Sequence, residues 1–182
     1  MSGRVPVAML SYSEVHTRRI GEALGQLWAT TGDPLLVLSL GGELGAGKTH
    51  FSKGVVRGLG GDDAEVVSPT FTLMAVYPTP IGEVHHFDCY RLADAADAAD
   101  VGLEESLSAP PRGQRRVVLI EWGSRVPELV PGAGDNVRRI ELGHGIEPGG
   151  ISDETGSDQR RIIARGFTRA ERDALLHAGA TP

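Results

Sequence analysis

The residues of this 182-residue chain best suited to chemistry stand between Gly42 and Thr49, in the order Gly42-Glu43-Leu44-Gly45-Ala46-Gly47-Lys48-Thr49. Gly42, Gly45 and Gly47 carry no side chain to block an approaching oligophosphate. Backbone N–H groups there, that of Ala46 included, can wrap phosphate oxygens above a helix N-terminus. Lys48 is spaced to reach terminal phosphates. Thr49 offers a small hydroxyl for a magnesium ion that keeps most of its waters.

Such a loop needs acids beside it to organise metal and water. Glu121 follows the apolar run Val117-Val118-Leu119-Ile120, as expected where a buried parallel strand reaches the carboxyl edge of a sheet. Asp88 stands late in a second extended stretch and is a candidate for orienting an attacking water. His85 and His86 are neighbours on that stretch, so they point to opposite faces and do not share one metal ion. His85 reads as a packed histidine. Cys89 lacks the electropositive surroundings of a nucleophile.

The elements that must position these groups follow from periodicity. Leu35 to Leu40 reads as the buried strand that leads into the glycine loop, and Phe51, Val55 and Leu59 mark the helix that leaves it, stopped by Gly60-Gly61. Upstream, Val5 to Leu10 reads as extended. Ser13 then caps a one-faced helix with Ile20, Ala23, Leu24, Leu27 and Trp28 on its apolar side. Beyond the loop helix, Pro69 holds Ser68 extended, and the alternation from Phe71 to Tyr77 predicts a strand. A turn at Pro78 to Gly82 and a second strand from Val84 to Tyr90 complete an antiparallel hairpin.

Ala93 to Asp100 reads as a solvated acidic helix or loop, and Leu103 to Leu107 as a short helix. Two late strands, Asn136 to Leu142 and Arg160 to Ala164, flank a Gly, Ser and Asp-rich tip from Gly143 to Asp158 that is expected to be flexible. Thr168 and Glu171 have capping-box spacing for a last helix, after which the terminal residues are expected to be disordered. The pattern is α/β: a P-loop NTPase fold with a central, mostly parallel sheet, antiparallel hairpin strands and flanking helices. A length of 182 residues suits one domain, against a norm of about 100 to 200 residues.

Composition excludes several classes. A formal charge of −6 argues against a broad nucleic-acid surface. The one cysteine excludes an intrachain disulfide and a cysteine-rich zinc site. No run approaches the roughly 18 apolar residues of a membrane span, and the first ten residues lack a signal peptide's apolar core, so a cytoplasmic protein is expected.

Four ordered motifs resemble the bacterial TsaE (YjeE) family of tRNA threonylcarbamoyladenosine biosynthesis: Gly42 to Thr49, Ser68-Pro69-Thr70-Phe71-Thr72-Leu73, His86-Phe87-Asp88-Cys89-Tyr90-Arg91-Leu92 and Leu119-Ile120-Glu121-Trp122. The resemblance implies an ATPase that binds ATP and magnesium and works with TsaB and TsaD, its hydrolysis resetting the complex between turnovers. Contact with tRNA could be direct or through those partners, and the acidic charge of the chain favours the partners. Carried over residue by residue, it assigns phosphate binding to Lys48 and the loop glycines. It assigns magnesium to Thr49 and Glu121, hydrolysis to Lys48, Asp88 and Glu121, and phosphate sensing to Thr70. The helix entry from Ser13 to Thr17, Glu14 within it, is implied to reach adenine. His50 stands where a second threonine is common, so the α-phosphate contact keeps a backbone N–H and loses a hydroxyl.

Three other readings stay open. A small-molecule kinase would use Arg112, Arg115 and Arg116 as a phosphate-clamping lid. A GTP-driven switch lacks an Asn-Lys-x-Asp guanine reader, with Asp153 to Gly156 in the polar tip instead. A nucleotide-dependent assembly module would need binding without relevant hydrolysis.

Overall fold

A computed structural model of the chain describes residues 5–92, 95–130, 137–144 and 158–180. One seven-stranded sheet runs through them in the order β1-β7-β6-β2-β5-β4-β3. Its strands are β1 (Val7–Ser11), β2 (Leu35–Gly42), β3 (Met74–Thr79), β4 (Gly82–Asp88), β5 (Arg116–Glu121), β6 (Val137–His144) and β7 (Arg160–Arg165). The central four, β6, β2, β5 and β4, are mutually parallel, and β1, β7 and β3 join antiparallel. This is the mixed α/β sheet the sequence predicts. Among the described residues no helix is long and apolar enough to cross a membrane.

The unbroken apolar runs of β2 and β5 are explained by burial on both faces. On one face Leu36, Leu38, Leu40, Val117 and Leu119 pack against Ile20, Leu24 and Trp28 of α1 (Glu14–Thr30) and Phe51, Val55 and Val56 of α2 (Lys48–Gly58). Leu175 of α5 (Arg169–Gly179) closes the same cluster. On the other face Val37, Val118, Ile120 and Phe87 meet Leu103 of α4 (Leu103–Leu107). The acidic stretch forms a short helix, α3 (Ala95–Asp100).

The caps form as their chemistry requires. Ser13 Oγ accepts from His16 N–H at 3.0 Å, and Thr168 and Glu171 make the reciprocal capping box of α5. Helices α1 and α2 approach closely because glycines face the partner backbone: a methyl group on Gly54 would collide with the Arg18 carbonyl oxygen, and one on Gly21 with that of Phe51.

Several strand boundaries differ from the sequence expectation. β3 begins at Met74, not Phe71, because Leu73 turns left-handed at φ 65°. The Asp88 N–H bonds the Leu73 carbonyl just past the last ladder pair, Met74 with Phe87. Phe71 is left 88% exposed. β3 also continues through Pro78 to Thr79, which an edge strand tolerates because a proline needs no ladder partner on its open side. β4 ends at Asp88, two residues short of Tyr90. Most of the expected tip lies outside the described residues, Asp153 to Gly156 included, while Gly143 and His144 continue β6. The expected disorder at Thr181 and Pro182 also falls outside them.

Candidate functional site

The glycine loop joins the carboxyl end of β2 to the first turn of α2. Gly42 adopts φ 125° so close to β6 that any Cβ would strike the Leu142 carbonyl oxygen. Gly47 caps α2 at φ 101° and supplies no side-chain hydrogen bond to the helix amides, which leaves those donors free for an anion. Lys48 folds back along the loop, its Nζ donating to the Gly42 and Glu43 carbonyls at 2.9 and 2.8 Å. The same ammonium lies 3.9 Å from the centroid of the Trp122 ring. Burial pushes its pKa below the ordinary lysine value, outweighing the opposing pull of Glu121, Asp88 and Glu141.

Strand register brings the acids to this loop. Asp88 and Glu121 are direct partners on β4 and β5, and β5 pairs Glu121 with Leu40, just before the loop. Glu121 is 2% exposed. Its Oε2 accepts from Thr49 Oγ1 at 3.2 Å, and its Oε1 faces His86 Nε2 at 2.9 Å. Asp88 Oδ2 accepts two hydroxyls, Ser68 at 2.7 Å and Thr70 at 2.6 Å, while Oδ1 takes the Tyr90 N–H at 2.9 Å.

Between these groups lies a cavity of about 370 Å³ whose walls include Glu14, Lys48, Thr49, His50, Asp88 and Glu121. Glu14 and His50, from the first turns of α1 and α2, pair at 3.3 Å across its rim. Thr70, Gly45 and Gly47 also line it. Gly42 and Ala46 are not part of the cavity wall; the Ala46 side chain is fully buried in the core and its N–H donates to the Glu43 carbonyl at 3.2 Å. The Thr49 and Glu121 oxygens beside a helix N-terminus with no side-chain cap can hold an oligophosphate and a hydrated cation.

The family model for "Threonylcarbamoyl adenosine biosynthesis protein TsaE" matches residues 11–147, which include the glycine loop, Glu14, Asp88 and Glu121. The chain belongs to the TsaE family. A Treponema pallidum protein named tRNA threonylcarbamoyladenosine biosynthesis protein TsaE is 40% identical over 122 residues, covering 67% of this chain and 82% of its own. The Bacillus subtilis protein of that name is 38% identical over 128 residues, covering 65% and 76%. In fold the chain is similar to the crystal structure of Bacillus subtilis YdiB, with TM-score 0.64 and 24% identity over 99% of this chain and 98% of that one.

Several groups at this site escape a reading of the sequence. The sequence sets His86 on the strand face opposite His85 but names no partner for it. The two do diverge: His85 Nδ1 meets Ser106 Oγ at 2.9 Å on the α4 side, and His86 turns to Glu121. The available signal was parity, since His86 and Asp88 are two apart on one strand and share a face. Ser68 joins Thr70 on Asp88, and the Trp122 ring lies against the Lys48 ammonium. Cys89 is buried, with its thiol pushed up to about 12 by burial and then by Asp88, which leaves it inert as a nucleophile.

The arginines of the kinase reading sit elsewhere. Arg116 pairs with Leu35 at the start of β2 and donates to the carbonyls of Glu105, Ser106 and Ser108. Arg115 is tied to the Trp28 and Asp33 carbonyls, and Arg112 belongs to the turn just before β5. All three lie at the end of the sheet opposite Gly42.

Proposed function

We propose that the protein is the ATP-binding and ATP-hydrolysing component of tRNA threonylcarbamoyladenosine biosynthesis, acting with TsaB and TsaD so that their complex can turn over repeatedly. The observation that carries this reading is the meeting of the glycine loop, Lys48 and Thr49 with two register-paired carboxylates in a chain of the TsaE family. In this reading ATP phosphates rest on the loop amides and Lys48, which exchanges the Gly42 and Glu43 carbonyls for phosphate oxygens. Glu14 and His50 border the nucleoside side.

The residues suit magnesium as well as phosphate. Among the described residues no group of three or more His, Cys, Asp or Glu could hold a metal ion, as expected where phosphates and water supply most ligands. Thr49 and Glu121 would hold the ion, whose chemistry when bound is to neutralise charge on the terminal phosphate oxygens. Asp88 would orient the attacking water once the Ser68 and Thr70 hydroxyls release Oδ2. Catalysis is then positional and electrostatic, with no covalent intermediate. An acidic chain of net charge −6 would meet tRNA through its partners, in the cytoplasm.

ATP hydrolysis and nucleotide binding by the wild type and Glu121→Ala, each alone and with TsaB and TsaD, test the reading. The expected result is weak turnover alone, stimulation by the partners, and loss of that turnover in Glu121→Ala while ATP still binds. ATP binding with no turnover even in the complex would make the protein a nucleotide-dependent assembly module. Failure to bind ATP would remove the reading altogether.

A further inference from the structure

The two oxygens of Glu121 have different partners. Oε2 faces the α2 N-terminus and takes the Thr49 hydroxyl, and Oε1 points back into the sheet at His86. The register explains the reach: His86 stands opposite Leu119, so it is diagonal to Glu121 on the shared face, within span of an imidazole and a glutamate. His86 is fully buried and sits in tilted contact with the Tyr77 ring, centroids 6.1 Å apart. Its Nδ1 has no partner among the described atoms, so Nε2 makes the hydrogen bond of this ring.

We infer that His86 is a positioning residue that fixes the Glu121 carboxylate with Oε2 presented to the Thr49 side, where the cation of the nucleotide is held. This rests on the proposed role of Glu121 toward magnesium. A carboxylate on a strand end has free rotation about its last bond, and one oxygen pinned by a buried N–H removes it. An outer partner of this kind commonly costs about 10- to 100-fold in metal affinity when lost. A histidine needed only for packing would instead affect folding, or ATP binding with and without metal alike.

The test is ATP affinity in excess magnesium and in EDTA, with thermal unfolding, for the wild type, His86→Leu, His86→Asn and His86→Gln. Leucine removes the donor, asparagine is too short to reach Glu121, and glutamine keeps an N–H with longer reach. The expected result is that the leucine and asparagine variants lose about tenfold or more of the affinity gained with magnesium. Their affinity in EDTA stays within about twofold of wild type, and glutamine restores part of the gain. A folded leucine or asparagine variant that retains the full magnesium gain overturns the inference. So does an equal loss in both conditions, or failure of both variants to fold, each of which marks a structural role. A wild type whose ATP affinity ignores magnesium fails one step earlier and takes down the metal role of Glu121 itself, which separates the two failures.

Discussion

Thr70 Oγ1 lies 2.6 Å from Asp88 Oδ2, and that oxygen also takes the Ser68 hydroxyl. The loop from Ser68 to Leu73 is therefore latched to the carboxylate that the proposed chemistry needs for water. A hydrogen bond to a charged group is worth about 1.5–3 kcal/mol. Asp88→Ala should raise amide hydrogen exchange across residues 68–73 by about tenfold or more in the absence of nucleotide, with Thr70→Val giving a smaller increase. Unchanged protection in Asp88→Ala would show that the latch does not hold the loop.

Lys48 carries a stability cost linked to its function. Burial depresses its pKa from 10.5, so between the depressed value and 10.5 the unfolded chain binds more protons and stability rises with pH. The cost is fully present below the folded pKa. Lys48→Met should accordingly lose ATP binding yet melt at or above the wild-type temperature at pH 7, with the difference shrinking as pH approaches 10.5. A variant melting well below wild type at pH 7 would contradict this assignment.

Glu171 ties α5 to the rest of the molecule. Its Oε1 accepts from Trp28 Nε1 at 2.7 Å and Arg138 Nε at 2.9 Å, and its Oε2 takes the Thr168 N–H at 2.6 Å. Burial alone would raise its pKa, but the hydrogen bonds from Trp28 and Thr168 and the charge of Arg138 outweigh it, leaving the carboxyl below its usual 4.5. The stabilisation is thus present above pH 4.5 and lost as pH falls through the folded value. Glu171→Ala should cost about 3–5 kcal/mol in urea unfolding at pH 7, by breaking the buried Arg138–Glu171 ion pair, and the gap to wild type should narrow in acid.

Some of this protein was written in short stretches of chain. The glycine loop between an apolar strand and a four-residue repeat, the Ser13 cap, and the Thr168 and Glu171 box each depend on neighbours within a few positions, and each lies where local spacing puts it. The candidate acids Glu121 and Asp88 were legible too, because strand ends mark the carboxyl edge of a parallel sheet. Their partners were not. That His86 serves Glu121, that Ser68 and Thr70 close on Asp88, and that Leu73 bends Phe71 out of β3 all follow from the register of β4 against β5 and β3. Register is a pairing of distant segments, settled by which faces are buried together. Sequence periodicity names the face of each strand, and only the folded sheet decides which residue stands opposite which.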